Sequence, residues 1–191
     1  MKVVLINSSP RKEGNTYHCL NMVMEELQAA GIECELIWIG MEKLHGCISC
    51  YKCYANKDKK CAVTDDKMNE YIEKLFEADG IILGTPTYVA NMTANMKALT
   101  ERAVFVSGAN GGLLKYKVGA AVVAVRRAGA TNVFSSLNFF FLISEMIVVG
   151  STYWNLGIGL APGEVKKDQE GIRTFKNLGK NFAFVLQKLN S

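Results

Sequence analysis

The chain has 191 residues, of which 49% are apolar and 21% charged, and its formal net charge is +4. That is the balance of an ordinary soluble globular protein long enough to bury a sizeable core. The lysines and arginines are spread along the chain, and the densest run, Lys57, Lys59 and Lys60, also holds Asp58, so it reads as a solvated loop and not as a nucleic-acid surface.

The opening segment, MKVVLINSSP, turns polar too soon for a secretory signal. Val3 to Ile6 is a short apolar run that suits a buried parallel strand. A polar turn, NSSPRKEGNT, leads to an amphipathic stretch in which Leu20, Val23, Met24 and Leu27 recur at helical spacing, stopped by Gly31. Glu33 to Ile39 reads as a second strand. Residues 40 to 64 lack clear periodicity. A helix is expected from Asp66 to Ala78, capped by Thr64 or Asp65, with Ile72, Leu75 and Phe76 on its buried face. Gly80 to Gly84 is a third strand, followed by the loop TPTYVANM and a helix over about 93–106. Val118 to Val125 is a fourth strand, and the turn RRAGATN leaves it. A helix over about 133–144, a strand over 146–149 and a closing helix over about 171–189 complete the chain. The most apolar long stretch, 133–149, is interrupted by Ser135, Ser136, Asn138, Ser144 and Glu145 and is no membrane span.

Strand and helix alternate about five times, with short, wholly apolar strands. This argues for an α/β fold with a parallel sheet covered on both faces. We expect one domain, 1–191, with a cysteine-rich insert at about 40–64 that is too long for a plain connection. The expected location is the cytoplasm.

Ligands of open α/β sheets bind outside the carboxyl ends of the strands. Three loops there carry suitable chemistry. In the first, Ser8, Ser9, Asn15 and Thr16 offer neutral donors and Arg11 a planar charged fork at a helix N-terminus, a set that matches a phosphate monoester. The loop is neither a Walker loop nor a G-x-G-x-x-G turn, and a plain capped turn would look similar. In the second, Pro86 stiffens the turn, Tyr88 offers an aromatic face and Asn91 an amide; a flavin edge or a partly buried tyrosine both fit. In the third, Arg126 and Arg127 face a cofactor or an anion, and one of the two is expected to be merely solvated.

Four of the six cysteines fall within fifteen positions: Cys47, Cys50, Cys53 and Cys61. The three two-residue-spaced thiols can converge on one centre, and the loop can fold back to bring the fourth. An iron-sulfur cluster ranks first, empty or partly oxidised thiols second and zinc third, since zinc favours separated knuckles or histidine. A disulfide framework conflicts with a reducing compartment. Lys52, Lys57, Lys59 and Lys60 would soften the charge of a thiolate cluster. Cys19 and Cys34 read as small core residues, and two histidines, His18 and His45, leave little material for a hydrolase triad.

N-S-S-P-R-K-x-G-N-T at 7–16, the cysteine run 47–61, G-T-P-T-Y-V-A-N-M at 84–92 and R-R-A-G-A-T-N at 126–132 together resemble the iron-sulfur flavoprotein family, within the NAD(P)H-dependent FMN reductase and flavodoxin-like group. The resemblance spans nearly the whole chain. It implies a flavodoxin-like three-layer sandwich with a five-stranded parallel sheet, and FMN held by the three loops. Ser9, Arg11, Asn15 and Thr16, beside Ser8, would hold the phosphate. Pro86, Thr87, Tyr88 and Asn91 would line the flavin, with Arg126 and Gly129 alongside. It further implies a [4Fe-4S] cluster on Cys47, Cys50, Cys53 and Cys61, a homodimer or homotetramer, and electron exchange with NAD(P)H or a carrier such as ferredoxin. A cluster-free NAD(P)H-dependent FMN or quinone reductase is the alternative enzyme. A thiol or metal sensor is the alternative of another class.

Overall fold

In a computed structural model, residues 1–190 are described; Ser191, where the expected domain ends, lies outside the described residues. Six strands form one parallel sheet: β1 (Lys2–Asn7), β2 (Glu33–Trp38), β3 (Gly80–Pro86), β4 (Val118–Val125), β5 (Ile147–Val148) and β6 (Leu156–Ile158). The order is β2-β1-β3-β4-β5, with β6 also on β4. β3 pairs with β4 along Val118 to Ala124, so β5 on Val118–Gly119 and β6 on Val123–Val125 share the opposite edge. The expected fifth strand is therefore one strand position filled by two short pieces.

Period-two alternation explains the layers. Val3 and Leu5 of β1, Ile82 of β3 and Val118, Ala120 and Val122 of β4 point into one core. Val4 and Ile6, Ile81 and Leu83, and Ala121 and Val123 point into the other. The first core is covered by α1 (Asn15–Ala29) and α6 (Gln169–Leu189), through Leu20, Val23 and Leu27 against Phe175, Leu178 and Phe182. The second is covered by α3 (Met68–Glu77), α4 (Ala94–Ala109) and α5 (Ala130–Ile143), through Ile72 and Leu75, Leu99 and Val106, Phe140 and Phe141. This is the doubly wound flavodoxin-like arrangement, in which the strand order reverses between β1 and β3.

Some local expectations are corrected. The aperiodic insert contains a short helix, α2 (Lys52–Asn56), and β6 and a 3-10 turn at Glu164–Lys167 follow β5. Neither Thr64 nor Asp65 caps α3; the Asp66 carboxylate accepts the Met68 N–H at 3.0 Å instead. α5 starts at Ala130, three residues early, because Gly129 takes a left-handed φ of 88° and opens the helix there. Cys19 is fully buried, and Cys34 is partly buried against the same core.

Candidate functional site

The carboxyl ends of β1, β3, β4 and β6 meet around a cavity of about 180 Å³, lined by Ser9, Arg11, Asn15, Thr16, Pro86, Thr87, Tyr88, Arg126 and the segment Gly159–Leu160. The backbone builds its rim. Thr87 N–H donates to Ala124 C=O at 2.8 Å, and Gly159 N–H donates to Val125 C=O at 2.9 Å.

The β1–α1 loop is braced from several sides. Asn7 Oδ1 accepts the Ser9 N–H at 3.0 Å, Ser9 Oγ accepts the Arg11 N–H at 3.2 Å, and the Trp38 indole donates to Ser9 C=O at 2.7 Å. Gly14 precedes α1, so no side chain caps its first turn, and that turn holds no acidic residue. An uncapped, acid-free helix start leaves amide donors and a positive dipole end for an anion. Arg11 reaches across the mouth, donating from Nη1 to Leu160 C=O at 3.3 Å.

Two cavity hydroxyls, Thr16 Oγ1 and Thr87 Oγ1, are buried without a hydrogen-bond partner among the described residues. Buried hydroxyls are nearly always paired, so two unpaired ones on one cavity are available to a polar ligand there. FMN fits this donor set: hydroxyls, a guanidinium and helix amides toward a phosphate, and Pro86 and half-exposed Tyr88 toward a flat ring.

Three of the residues expected at this cavity lie off it. Ser8 sits behind its wall, fully buried, donating to Gly84 C=O at 3.1 Å and accepting from Thr93 Oγ1 at 2.8 Å. Asn91 closes the turn after Tyr88, through Tyr88 N–H to Asn91 C=O and the reverse bond, both 2.9 Å, and borders the neighbouring α4–α5 groove. A Cβ at Gly129 would lie 3.0 Å from Ala90 Cα, so that glycine lets α5 pack on this turn. Inside it, Val89 and Ala90 have φ of 50° and 55°, a mirror-image turn on residues that disfavour it. Arg127 is exposed and lines no part of the cavity.

Sequence reasoning missed Gly159 and Leu160. A Cβ on Gly159 would fall 2.6 Å from Val165 N and 2.9 Å from Asn15 Nδ2, so only glycine lets β6's continuation approach α1. The signal was the G-I-G-L run at 157–160, after a strand too short to recognise.

The insert packs on α4. Cys47, Cys50, Cys53, Cys61 and Arg102 border one small cavity of about 20 Å³. Cys47 N–H donates to Glu101 Oε2 at 3.2 Å, and Cys61 is held by Asn69, which accepts its N–H at 2.8 Å and donates to its C=O at 2.9 Å. Burial pushes the Cys53 thiol up. Ser49, Tyr51, Lys57 and Lys59 all take left-handed φ, between 51° and 62°. Among the described residues, no three His, Cys, Asp or Glu side chains converge in a geometry that holds a metal ion. His45 contributes its backbone to Asp66, and His18 lies on α1 beside Gly163, its pKa lowered by burial and then by Lys166. Neither borders either cavity.

A doubly wound sheet with this cavity at its switch point places the chain among flavodoxin-like α/β proteins. Residues 1–161 match the family described as NADPH-dependent FMN reductase. The chain is 39% identical over 194 residues to an iron-sulfur flavoprotein of Methanocaldococcus jannaschii, covering 98% of each. It is 35% identical over 189 residues to an iron-sulfur flavoprotein of Methanosarcina thermophila, covering 98% of this chain and 96% of that one. Solved structures share the fold. RosB bound to 8-demethyl-8-formylriboflavin-5'-phosphate aligns with a TM-score of 0.76 at 19% identity, over 100% of this chain and 80% of that one. A WrbA-like flavodoxin of Agrobacterium tumefaciens aligns at 0.66 and 17%, over 98% and 97%. The chain belongs to the NADPH-dependent FMN reductase family and is an FMN oxidoreductase.

Proposed function

We propose that FMN occupies the cavity at the strand ends, its phosphate at the start of α1 among Ser9, Arg11, Asn15 and Thr16 and its ring against Pro86, Thr87, Tyr88 and Arg126. The observation that carries this reading is the pair of orphaned hydroxyls, Thr16 Oγ1 and Thr87 Oγ1, on one cavity. FMN supplies the redox chemistry, taking up a hydride or single electrons; the chain binds and orients it. Ser8, Asn91 and Gly129 act behind this wall, by holding the β1–α1 and β3–α4 loops in shape.

The fuller reading is an iron-sulfur flavoprotein of one domain, 1–191, working as a homodimer or homotetramer in the cytoplasm. Electrons pass between NAD(P)H or a carrier such as ferredoxin, the FMN and a [4Fe-4S] cluster on Cys47, Cys50, Cys53 and Cys61. Its support is the shared name of the relatives and the meeting of all four thiols at one cavity. The donor set suits the cluster, since four thiolates are its ordinary ligands. No helix among the described residues is long and apolar enough to cross a membrane.

A second reading, a cluster-free NAD(P)H-dependent FMN or quinone reductase, has its support in the match of residues 1–161 to the family described as NADPH-dependent FMN reductase. The visible spectrum of anaerobically prepared protein, before and after NADPH, separates the two. Flavin bands overlaid by broad sulfur-to-iron absorption support the first, and flavin bands alone support the second. A chain that binds no flavin contradicts both.

A further inference from the structure

The Arg102 side chain has no exposure to solvent and is the largest fully buried side chain of the described residues. Arginine is almost never fully buried unless paired. Here the guanidinium is spent on the cysteine insert. Nη1 donates to the Asp66 carboxylate, itself fully buried, and to His45 C=O at 3.3 Å. Nη2 donates to Val63 C=O at 2.7 Å, and Nε donates to Cys61 Sγ at 3.2 Å. One side chain on α4 thus ties the segment before Cys47 to the segment after Cys53. Stability alone does not account for it, because an apolar side chain of similar volume usually packs as well as a buried ion pair.

We propose that Arg102 is a positioning residue for the cysteine centre: it closes the two flanks of the insert around the four thiols and donates its Nε–H to the sulfur of Cys61 as a ligand. This rests on reading the insert as a cluster site. A hydrogen bond to a ligand sulfur draws electron density from it and stabilises the more negative, reduced state, which raises the reduction potential. Asp66 offsets the charge of the guanidinium, so the directed N–H contact carries the effect. No other arginine (Arg11, Arg126, Arg127 or Arg173) borders the cavity.

The test compares the full-length native chain with Arg102→Lys, which keeps a cation for Asp66 and removes the Nε–H. Both are reconstituted anaerobically with iron and sulfide in the presence of FMN. Iron content, FMN content and the midpoint potential of the iron centre are then measured. The proposal expects about four irons per native chain. In Arg102→Lys it expects native FMN content with either a lower midpoint potential or a loss of iron. Arg102→Lys with native iron content and native potential overturns the role of Arg102 and leaves the cluster reading standing. A native chain that takes up no iron overturns both. The native chain gives a second measurement, should the variant fold poorly. With arginine labelled by nitrogen-15, the reduced centre should show a hyperfine coupling to nitrogen-15 in pulsed electron paramagnetic resonance. A reduced centre without that coupling overturns the contact.

Discussion

Replacing Thr16 by valine separates a ligand-binding hydroxyl from a structural one, because the two roles move binding and stability in opposite directions. Thr16 lies in the first turn of α1, is 1% exposed, and its hydroxyl has no partner among the described residues. An unpaired buried hydroxyl costs about 1–3 kcal/mol, and valine has nearly the same shape. The FMN-free Thr16→Val chain is therefore expected to be more stable than the native one, by roughly 1 kcal/mol, or about 2–4 °C in Tm for a chain of this length. With FMN bound, the same hydroxyl donates to a charged phosphate, a bond worth about 1.5–3 kcal/mol. Its loss is expected to raise Kd by roughly 10- to 150-fold. Quenching of FMN fluorescence on titration gives the affinity, and urea unfolding of flavin-free protein gives the stability. Unchanged FMN affinity, or a flavin-free variant less stable than native, would refute the placement of the phosphate.

Arg11→Ala is expected to weaken FMN binding by about 1.5–3 kcal/mol in the same titration, the scale of a charged hydrogen bond. Gly159→Ala drives a methyl to 2.6 Å from Val165 N. It is expected to lower both Tm and flavin content; a variant that keeps both would show that this approach is not required. Val89→Gly relieves a left-handed valine worth about 1–2 kcal/mol, against a glycine entropy cost of about 0.5–1 kcal/mol. A rise of roughly 0.5–1 kcal/mol in unfolding free energy is expected on the same two scales. Burial pushes the Asp66 carboxyl up, but the His45 N–H, the Arg102 guanidinium and the Met68 N–H outweigh it and hold it below its ordinary value of 3.8. Its contribution to stability is thus fully present above about pH 4 and lost as pH falls through the lowered value. Asp66→Ala is expected to cost about 3–5 kcal/mol at neutral pH and to flatten that acid limb in pH-dependent unfolding.

The sheet was legible because its strands are buried on both faces. Runs such as Val3–Ile6 and Val118–Val125 have no polar interruption, and only a doubly covered sheet asks for that. The loops were legible where a strand end met a helix start, which brought Ser9, Arg11, Asn15 and Thr16 forward together. β6 escaped notice because three residues carry no period, and Gly159 and Leu160 went unseen with it. Ser8 and Asn91 show a different limit: composition marks a polar residue at a site but does not say which way it points. Ser8, the first residue past β1, turns inward, its hydroxyl donating to Gly84 C=O and accepting from Thr93 Oγ1. Arg102 was invisible for a related reason, since an arginine within a helix reads as solvated until the fold lays an insert over it.

The phosphate at the start of α1 underlies every expectation about flavin binding. Binding of FMN and of riboflavin, which lacks that phosphate, to flavin-free native protein tests it in one experiment. FMN is expected to bind one to one and at least about tenfold more tightly than riboflavin, since losing a charge-assisted contact costs about 1.5 kcal/mol or more. Equal affinity for the two would contradict it.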